Sequence, residues 1–223
     1  MNWMSYYVFW LAAPVLVGLV SEHPAVFLIV VVAIVARRWL PDPYLFFKYA
    51  GRIGSLRADI EANPHNAAAQ RELALIYLEK RRPAKAIPLA AAALAREPDS
   101  AEMLYLHGLA LLGAGRAAEA VEPLIAAIHK APRLRYGDAY LKAGDALSEL
   151  GRLEDAEDAY QRFIEINNST IEGRFKLGRV YRTRRDEAAA KRAFADARTT
   201  YRQLPAFKRR RDWIWALQAW WAT

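Results

Sequence analysis

Prolines at Pro64, Pro98 and Pro132 stand 34 residues apart, and a period of that length constrains this chain more than any other feature. Self-similarity at 20 to 50 residues means stacked supersecondary units that share one elongated core. Other residues hold the same phase. The first unit carries Leu73, Ala74, Tyr77, Ala86 and Ala93 before Pro98, and the second carries Gly108, Leu111, Ala120, Leu124 and Ala127 before Pro132. After an insertion around Arg133 to Tyr136 the third carries Gly144, Leu147, Gly151, Ala156, Tyr160 and Phe163, with Asn168 in place of proline. The fourth carries Leu177, Gly178, Tyr181, Ala190, Phe194 and Ala197. Small residues at fixed places let two antiparallel helices approach, and the large ones fill the groove between neighbours. Gly113-Ala114-Gly115-Arg116 and Leu150-Gly151-Arg152 read as turns that close such helix pairs.

In type and spacing these residues resemble the tetratricopeptide repeat (TPR) consensus over residues 67–203. The resemblance implies an all-α solenoid of four helix-turn-helix units at 67–100, 101–134, 137–170 and 171–203. Three departures stand out. Arg202 occupies the fourth proline position, the turn Arg184-Arg185-Asp186-Glu187 lacks glycine, and Pro88 and Pro123 fall near the first turn of second helices, where proline is tolerated. Within the linker 41–66, the stretch Pro43 to Asn63 reads as one helix.

The family resemblance also implies that each first helix lines a concave, protein-binding face. Transferred by phase, that face holds Arg71, Leu75 and Leu78, then Tyr105, Leu109 and Leu112. It continues with Asp138, Leu141, Asp145 and Ser148, then Phe175, Arg179 and Arg182. Read this way, the groove grades from apolar to acidic to basic and suits an amphipathic helix or an extended peptide. Each inward leucine reads equally well as core. The Lys, Asn and Arg clamp by which chaperone-adaptor TPR proteins hold an acidic tail is missing, so no heat-shock chaperone partner is expected.

Residues 1–40 differ from the repeats. Trp3 to Val20 holds no charge, and a helix of that length spans about 27 Å, close to the hydrocarbon thickness of a bilayer. Ser21-Glu22-His23-Pro24 reads as a turn, and Pro24 to Ala36 is a second apolar run that Arg37 and Arg38 extend by snorkelling. The expectation is a transmembrane hairpin with Trp3, Trp10, Arg37, Arg38 and Trp39 at one interface. A signal peptide and a buried helix pair are the rival readings, the former weakened by the lack of Lys or Arg from Met1 to Tyr7. Basic residues following the second run place the repeats and both termini on the cytoplasmic side of a bacterial-type inner membrane.

The formal charge is +8, and residues 172–212 alone carry +9 through 14 Lys and Arg against 5 Asp and Glu. Lys208-Arg209-Arg210-Arg211 then leads into a tail at 204–223 that holds Trp213, Trp215, Trp220 and Trp221. Asp212 reads as its helix N-cap, and Trp213, Leu217 and Trp220 share one helical stripe. Three readings fit this tail: a cap over the last apolar face of the solenoid, an interfacial helix on anionic lipid, or a partner contact.

Catalysis is not expected. Cysteine is absent, which excludes thiol nucleophiles, disulfides and cysteine-ligated zinc. No phosphate-cradling glycine loop is present, and the four histidines form no metal-spaced pair. No cofactor, metal or small-molecule substrate is expected, and the arginines lack the interleaved aromatics of a nucleic-acid module. The functional expectation is a membrane-anchored scaffold or adaptor that binds proteins and supports assembly of a membrane complex. An accessory subunit of a transport, secretion or envelope-biogenesis complex and a peripheral lipid-surface protein are the alternatives.

Overall fold

The computed structural model describes Ala25 and residues 43–222, with side chains from residue 48 onward. The chain divides into two units, Met1–Gly51 and Arg52–Thr223. The expected hairpin, with Trp3, Trp10, Arg37, Arg38 and Trp39, lies outside the described residues. Among the described residues no helix is long and apolar enough to cross a membrane.

These residues form ten α-helices and no strand. They are α1 (Pro43–Ala62), α2 (Ala67–Glu79), α3 (Pro83–Arg96), α4 (Ala101–Gly113), α5 (Ala117–Lys130), α6 (Asp138–Glu149), α7 (Leu153–Ile166), α8 (Ile171–Thr183), α9 (Glu187–Gln203) and α10 (Ala206–Trp221). Four antiparallel pairs, α2/α3, α4/α5, α6/α7 and α8/α9, stack in sequence order, and α10 packs on α8 and α9. The result is an all-helical solenoid.

The 34-residue signal is a set of helix boundaries. α1, α3 and α5 end at Ala62, Arg96 and Lys130, two residues before the periodic prolines, because a proline cannot continue the helix that precedes it. Two residues after proline stands a polar N-cap. Asn66 accepts from the Ala69 N–H at 3.0 Å, Ser100 from Met103 at 3.4 Å, and Thr170, two beyond Asn168, from Gly173 at 3.1 Å. The third unit departs: a 3₁₀ turn at Leu134–Gly137 absorbs the insertion, with Arg135 and Tyr136 at positive φ. α9, with Arg202 in the proline place, runs for 17 residues to Gln203, just before Leu204-Pro205, against the 14 of α3, α5 and α7, although α7 also ends in phase with Asn168 in place of proline.

Pro88 and Pro123 lie deeper than the first turn, as the sixth residue of α3 and the seventh of α5. Each deprives the carbonyl four residues back, at Ala84 or Glu119, of its helical donor. Both of those residues are exposed, so water can take the donor's place.

Inside each pair, the two helices meet where residues are sixteen apart. An ideal Cβ on Gly108 would lie 2.6 Å from Leu124, on Gly144 2.6 Å from Tyr160, and on Gly178 2.5 Å from Phe194. The same spacing in the first unit joins Ala74 to Ala90, both fully buried. A large residue thus sits over glycine three times, and alanine stands at both places once, so every pair has at least one small residue that lets the helices approach. The turns between paired helices share a left-handed residue in phase: Arg81 (φ 53°), Gly115 (φ 76°), Gly151 (φ 73°) and Arg185 (φ 63°). The glycine missing from the fourth turn leaves that backbone conformation unchanged, and an arginine bears its steric cost.

Two predictions follow from this packing. Gly178→Ala lowers unfolding free energy by about 2 kcal/mol through overpacking, and Phe194→Ala by about 3 kcal/mol or more. The double variant, which recreates the Ala74/Ala90 solution, costs no more than Phe194→Ala alone, a coupling readable in urea denaturation. Arg185→Gly raises stability and Gly115→Ala lowers it, each by about 1 kcal/mol, since the space beside Gly115 is open and only its φ opposes a side chain.

Candidate protein-binding face

First helices touch along the solenoid, α2 on α4 and α4 on α6, so their shared surface forms its inner row. On that row several of the residues expected to meet a partner are engaged with the next repeat. Arg71 of α2 pairs with Glu102 of α4 at 3.7 Å, and Arg135 reaches the same carboxylate at 3.0 Å. The Tyr105 hydroxyl of α4 donates to Asp138 of α6, while the Arg135 guanidinium lies 5.4 Å from the Tyr105 ring centre. Asp145 of α6 accepts from the Tyr160 hydroxyl of α7 at 2.8 Å and from the Lys176 ammonium of α8 at 2.8 Å. Lys176 also pairs with Glu172 at 2.6 Å, and Lys142 lies 3.9 Å from Asp145.

These links explain the titration behaviour. Burial pushes the Tyr105 and Tyr160 hydroxyls far upward, and Asp138 and Asp145 beside them add to the shift, so both stay protonated as donors. Burial alone would lower the Lys176 ammonium, but Asp145 and Glu172 outweigh it and hold the group above its ordinary range. The middle of the row is therefore an internally neutralised network rather than an open acidic patch.

Tyr105, Leu141 and Phe175 are buried, at 4%, 3% and 7% exposure. Asp138, Asp145 and Ser148 are half-buried. Leu75, Leu78, Leu109 and Leu112 are half-buried and leave apolar surface along α2 and α4. Arg179 and Arg182 are exposed, but Arg182 lies over the Phe194 ring at 5.2 Å and donates to the Ala222 carbonyl at 3.3 Å. At the basic end, α10 covers the row itself: Trp215 packs 5.7 Å from the Phe175 ring, with the Lys176 ammonium 5.6 Å from the Trp215 ring centre.

The C-terminal helix corrects one expectation and shows which side its stripe takes. Asp212 is not its N-cap: α10 begins at Ala206, directly after Pro205, and Asp212 lies within it, paired with Arg211 at 2.9 Å. Pro205 ends α9 and supplies the carbonyl that accepts the first helical bonds of the next helix. The stripe Trp213, Leu217 and Trp220 lies on the side of α10 away from the solenoid. Ala216 and Ala219 are the buried residues, with Trp215 half-buried beside them, while Trp213, Trp220 and Trp221 are exposed. Small residues let α10 approach α8 and α9 closely.

A feature outside the expected set lies between α3, α4 and α5. A cleft of about 470 Å³ is lined by Ile87, Leu104, Leu111, Glu119, Pro123 and His107. The His107 Nδ1 is buried with no hydrogen-bond partner. Burial and then the Arg116 charge push this imidazole below its ordinary range, which keeps it neutral. His107 stands where the repeat usually has leucine, and that substitution was its sequence signal. Among the described residues no group of three His, Asp or Glu is placed to hold a metal ion.

The sequence profile of the tetratricopeptide repeat matches residues 53–101, 72–135 and 105–170. No curated protein matches the chain. Among solved structures, MamA is similar at 24% identity and a TM-score of 0.65, over 70% of this chain and 90% of that one. MamA residues 41 to the end from Desulfovibrio magneticus RS-1 gives 18% identity and 0.65, over 69% and 86%. PilW, a widely conserved type IV pilus biogenesis factor, gives 22% and 0.63, over 79% and 85%. At these identities the likeness is one of fold.

Two measurements check the electrostatics. Lys176→Met, which strands two partly buried carboxylates, costs about 2 kcal/mol in urea denaturation, whereas Arg71→Met, losing a longer and more exposed pair, costs under about 0.5 kcal/mol. The folded-state pKa of His107 lies below its unfolded value, so the unfolded chain takes up more protons and stability falls as pH drops below about 6.5. His107→Leu removes that portion of the loss, read as a smaller difference in urea midpoint between neutral and mildly acidic buffer.

Proposed function

This chain belongs to the tetratricopeptide repeat family, and from that premise we propose that it is a protein-binding scaffold, held at a membrane by residues 1–40, that supports assembly of a membrane protein complex. The observation that carries the binding surface is the row Leu75, Leu78, Leu109 and Leu112, half-buried on α2 and α4. The chain has already used its neighbouring charges internally, through Arg71–Glu102 and Tyr105–Asp138. A partner therefore meets an apolar strip edged by fixed ion pairs, a surface suited to the apolar face of an amphipathic helix or extended segment. Asp138, Asp145 and Arg182 position repeats and the terminal helix in this reading, Arg179 stays exposed, and Leu141 and Phe175 are core.

The anchor rests on the sequence: Trp3 to Val20 without a charge, a short turn, and a second apolar run ending at Arg37 and Arg38. Its orientation, with the repeats on the cytoplasmic side of an inner membrane, rests on the basic residues that follow the second run. A fold shared with a type IV pilus biogenesis factor is in keeping with an assembly role. Catalysis has no part in this proposal.

The binding reading is tested with the full chain purified in mild detergent. Leu75→Glu with Leu109→Glu reduces co-purification of the partner at least about tenfold with helix content and melting unchanged, while Ala118→Glu on the exposed side of α5 has no effect. Retained capture by the leucine variant would overturn the assignment. For the anchor, the full chain resists alkaline extraction from membranes, and a chain lacking residues 1–40 is released.

A further inference from the structure

The terminal helix has two distinct faces. One is spent on the solenoid through Trp215, Ala216 and Ala219. The other carries Phe207, Trp213, Ile214, Leu217, Trp220 and Trp221, exposed by 75%, 51%, 48%, 44%, 66% and 78%. At 3.6 residues per turn these six fall within an arc of about 140°. Arg210 projects from the middle of that arc, with Arg209 and Arg211 at its two edges, and all three are exposed. Lys208 is turned inward and donates to Ser169.

We propose that this outer face of α10 is a docking surface for an anionic phospholipid bilayer, separate from the leucine strip of α2 and α4. The sequence stripe Trp213, Leu217 and Trp220 lies on this face, and the contacts of Trp215, Ala216 and Ala219 show that it is the outer one. Charge decides the occupant. No carboxylate lies on the outer arc, and Asp212 is already paired with Arg211. A second copy of the helix would bring the same Arg209 and Arg210 and no acid free to meet them, so Arg210 would be buried without a counter-charge. A protein partner would need an acid at the register of each arginine. A bilayer of anionic lipid offers phosphates at every register, takes the tryptophan rings at headgroup depth, and lets the arginine stems lie along the apolar surface. Docking in this way needs no transmembrane anchor, although the two would act together.

The chain has no cysteine, so a spin label can be placed singly at Gln218→Cys, an exposed position bordering the arc. The labelled full chain is reconstituted into vesicles of phosphatidylcholine alone or of phosphatidylcholine mixed with phosphatidylglycerol. The expected result is a label that contacts dissolved oxygen and is shielded from an aqueous nickel chelate in the anionic vesicles alone. Replacing Arg209, Arg210 and Arg211 by Gln abolishes the shielding. A label that stays open to the nickel chelate in both lipids overturns the proposal and leaves the face to a protein partner. Shielding that appears equally in detergent, with dipolar coupling between labels, overturns it in favour of a second copy. An alkaline wash of the same vesicles reports on the anchor independently: release of the chain after shielding has been seen would contradict the anchor and support the α10 contact.

Discussion

Everything in the described solenoid depends on how closely the two helices of a repeat can approach, and that distance is set at one point in each pair. Over Gly108, Gly144 and Gly178 lie Leu124, Tyr160 and Phe194, so near that a methyl group on the glycine would overlap them. Backbone and large side chain thus occupy space that two ordinary residues could not share. The buried Ala74 and Ala90 meet the same need in the first pair with two small side chains. Because each contact is internal to its own repeat, the units are built alike and stacked, and the stacking is a second and separable problem.

Stacking rests on a buried apolar core that runs through successive repeats, from Tyr105 and Leu124 to Leu141, Tyr160 and Val180, and polar links about one repeat apart in sequence fix its register. Lys130 reaches back to Asp99, Arg135 to Glu102, and Lys176 to Asp145, each bridging consecutive units. Those exposed to water contribute little individually; the partly buried set around Asp145 and Lys176 contributes more because its members are shielded and hydrogen-bonded together. The functional consequence is economy of surface. Charges expected to be available on the inner row are committed to holding repeats in register, and the proposed binding strip is therefore the leucines of α2 and α4.

How much was readable beforehand follows from how often each feature is written. Helix boundaries at the periodic prolines, N-caps two residues later, and the glycine under a large residue recur in successive units, so phase alone exposes them. Features written once resisted that logic. The pairing of Tyr105 with Asp138, and of Asp145 with Tyr160 and Lys176, depends on the rotation between neighbouring repeats, which no periodicity states. In α10 the apolar residues surround the helix, so the sequence could group Trp213, Leu217 and Trp220 on one stripe without stating which side the solenoid takes. Ala216 and Ala219 took that place because a small residue permits close packing on α8 and α9, leaving the larger rings outside. Pro88 and Pro123 sit past the first turn because the carbonyls that they leave without a donor belong to exposed residues.

A solenoid whose packing is decided repeat by repeat should also fail repeat by repeat. The most direct test is amide hydrogen exchange, read by mass spectrometry on the full chain and on Gly144→Ala. The account predicts faster exchange in α6 and α7 and at their immediate neighbours α5 and α8, with protection in α2 and α3 unchanged. Uniform loss of protection across all pairs, or no change in α6 and α7, would contradict it.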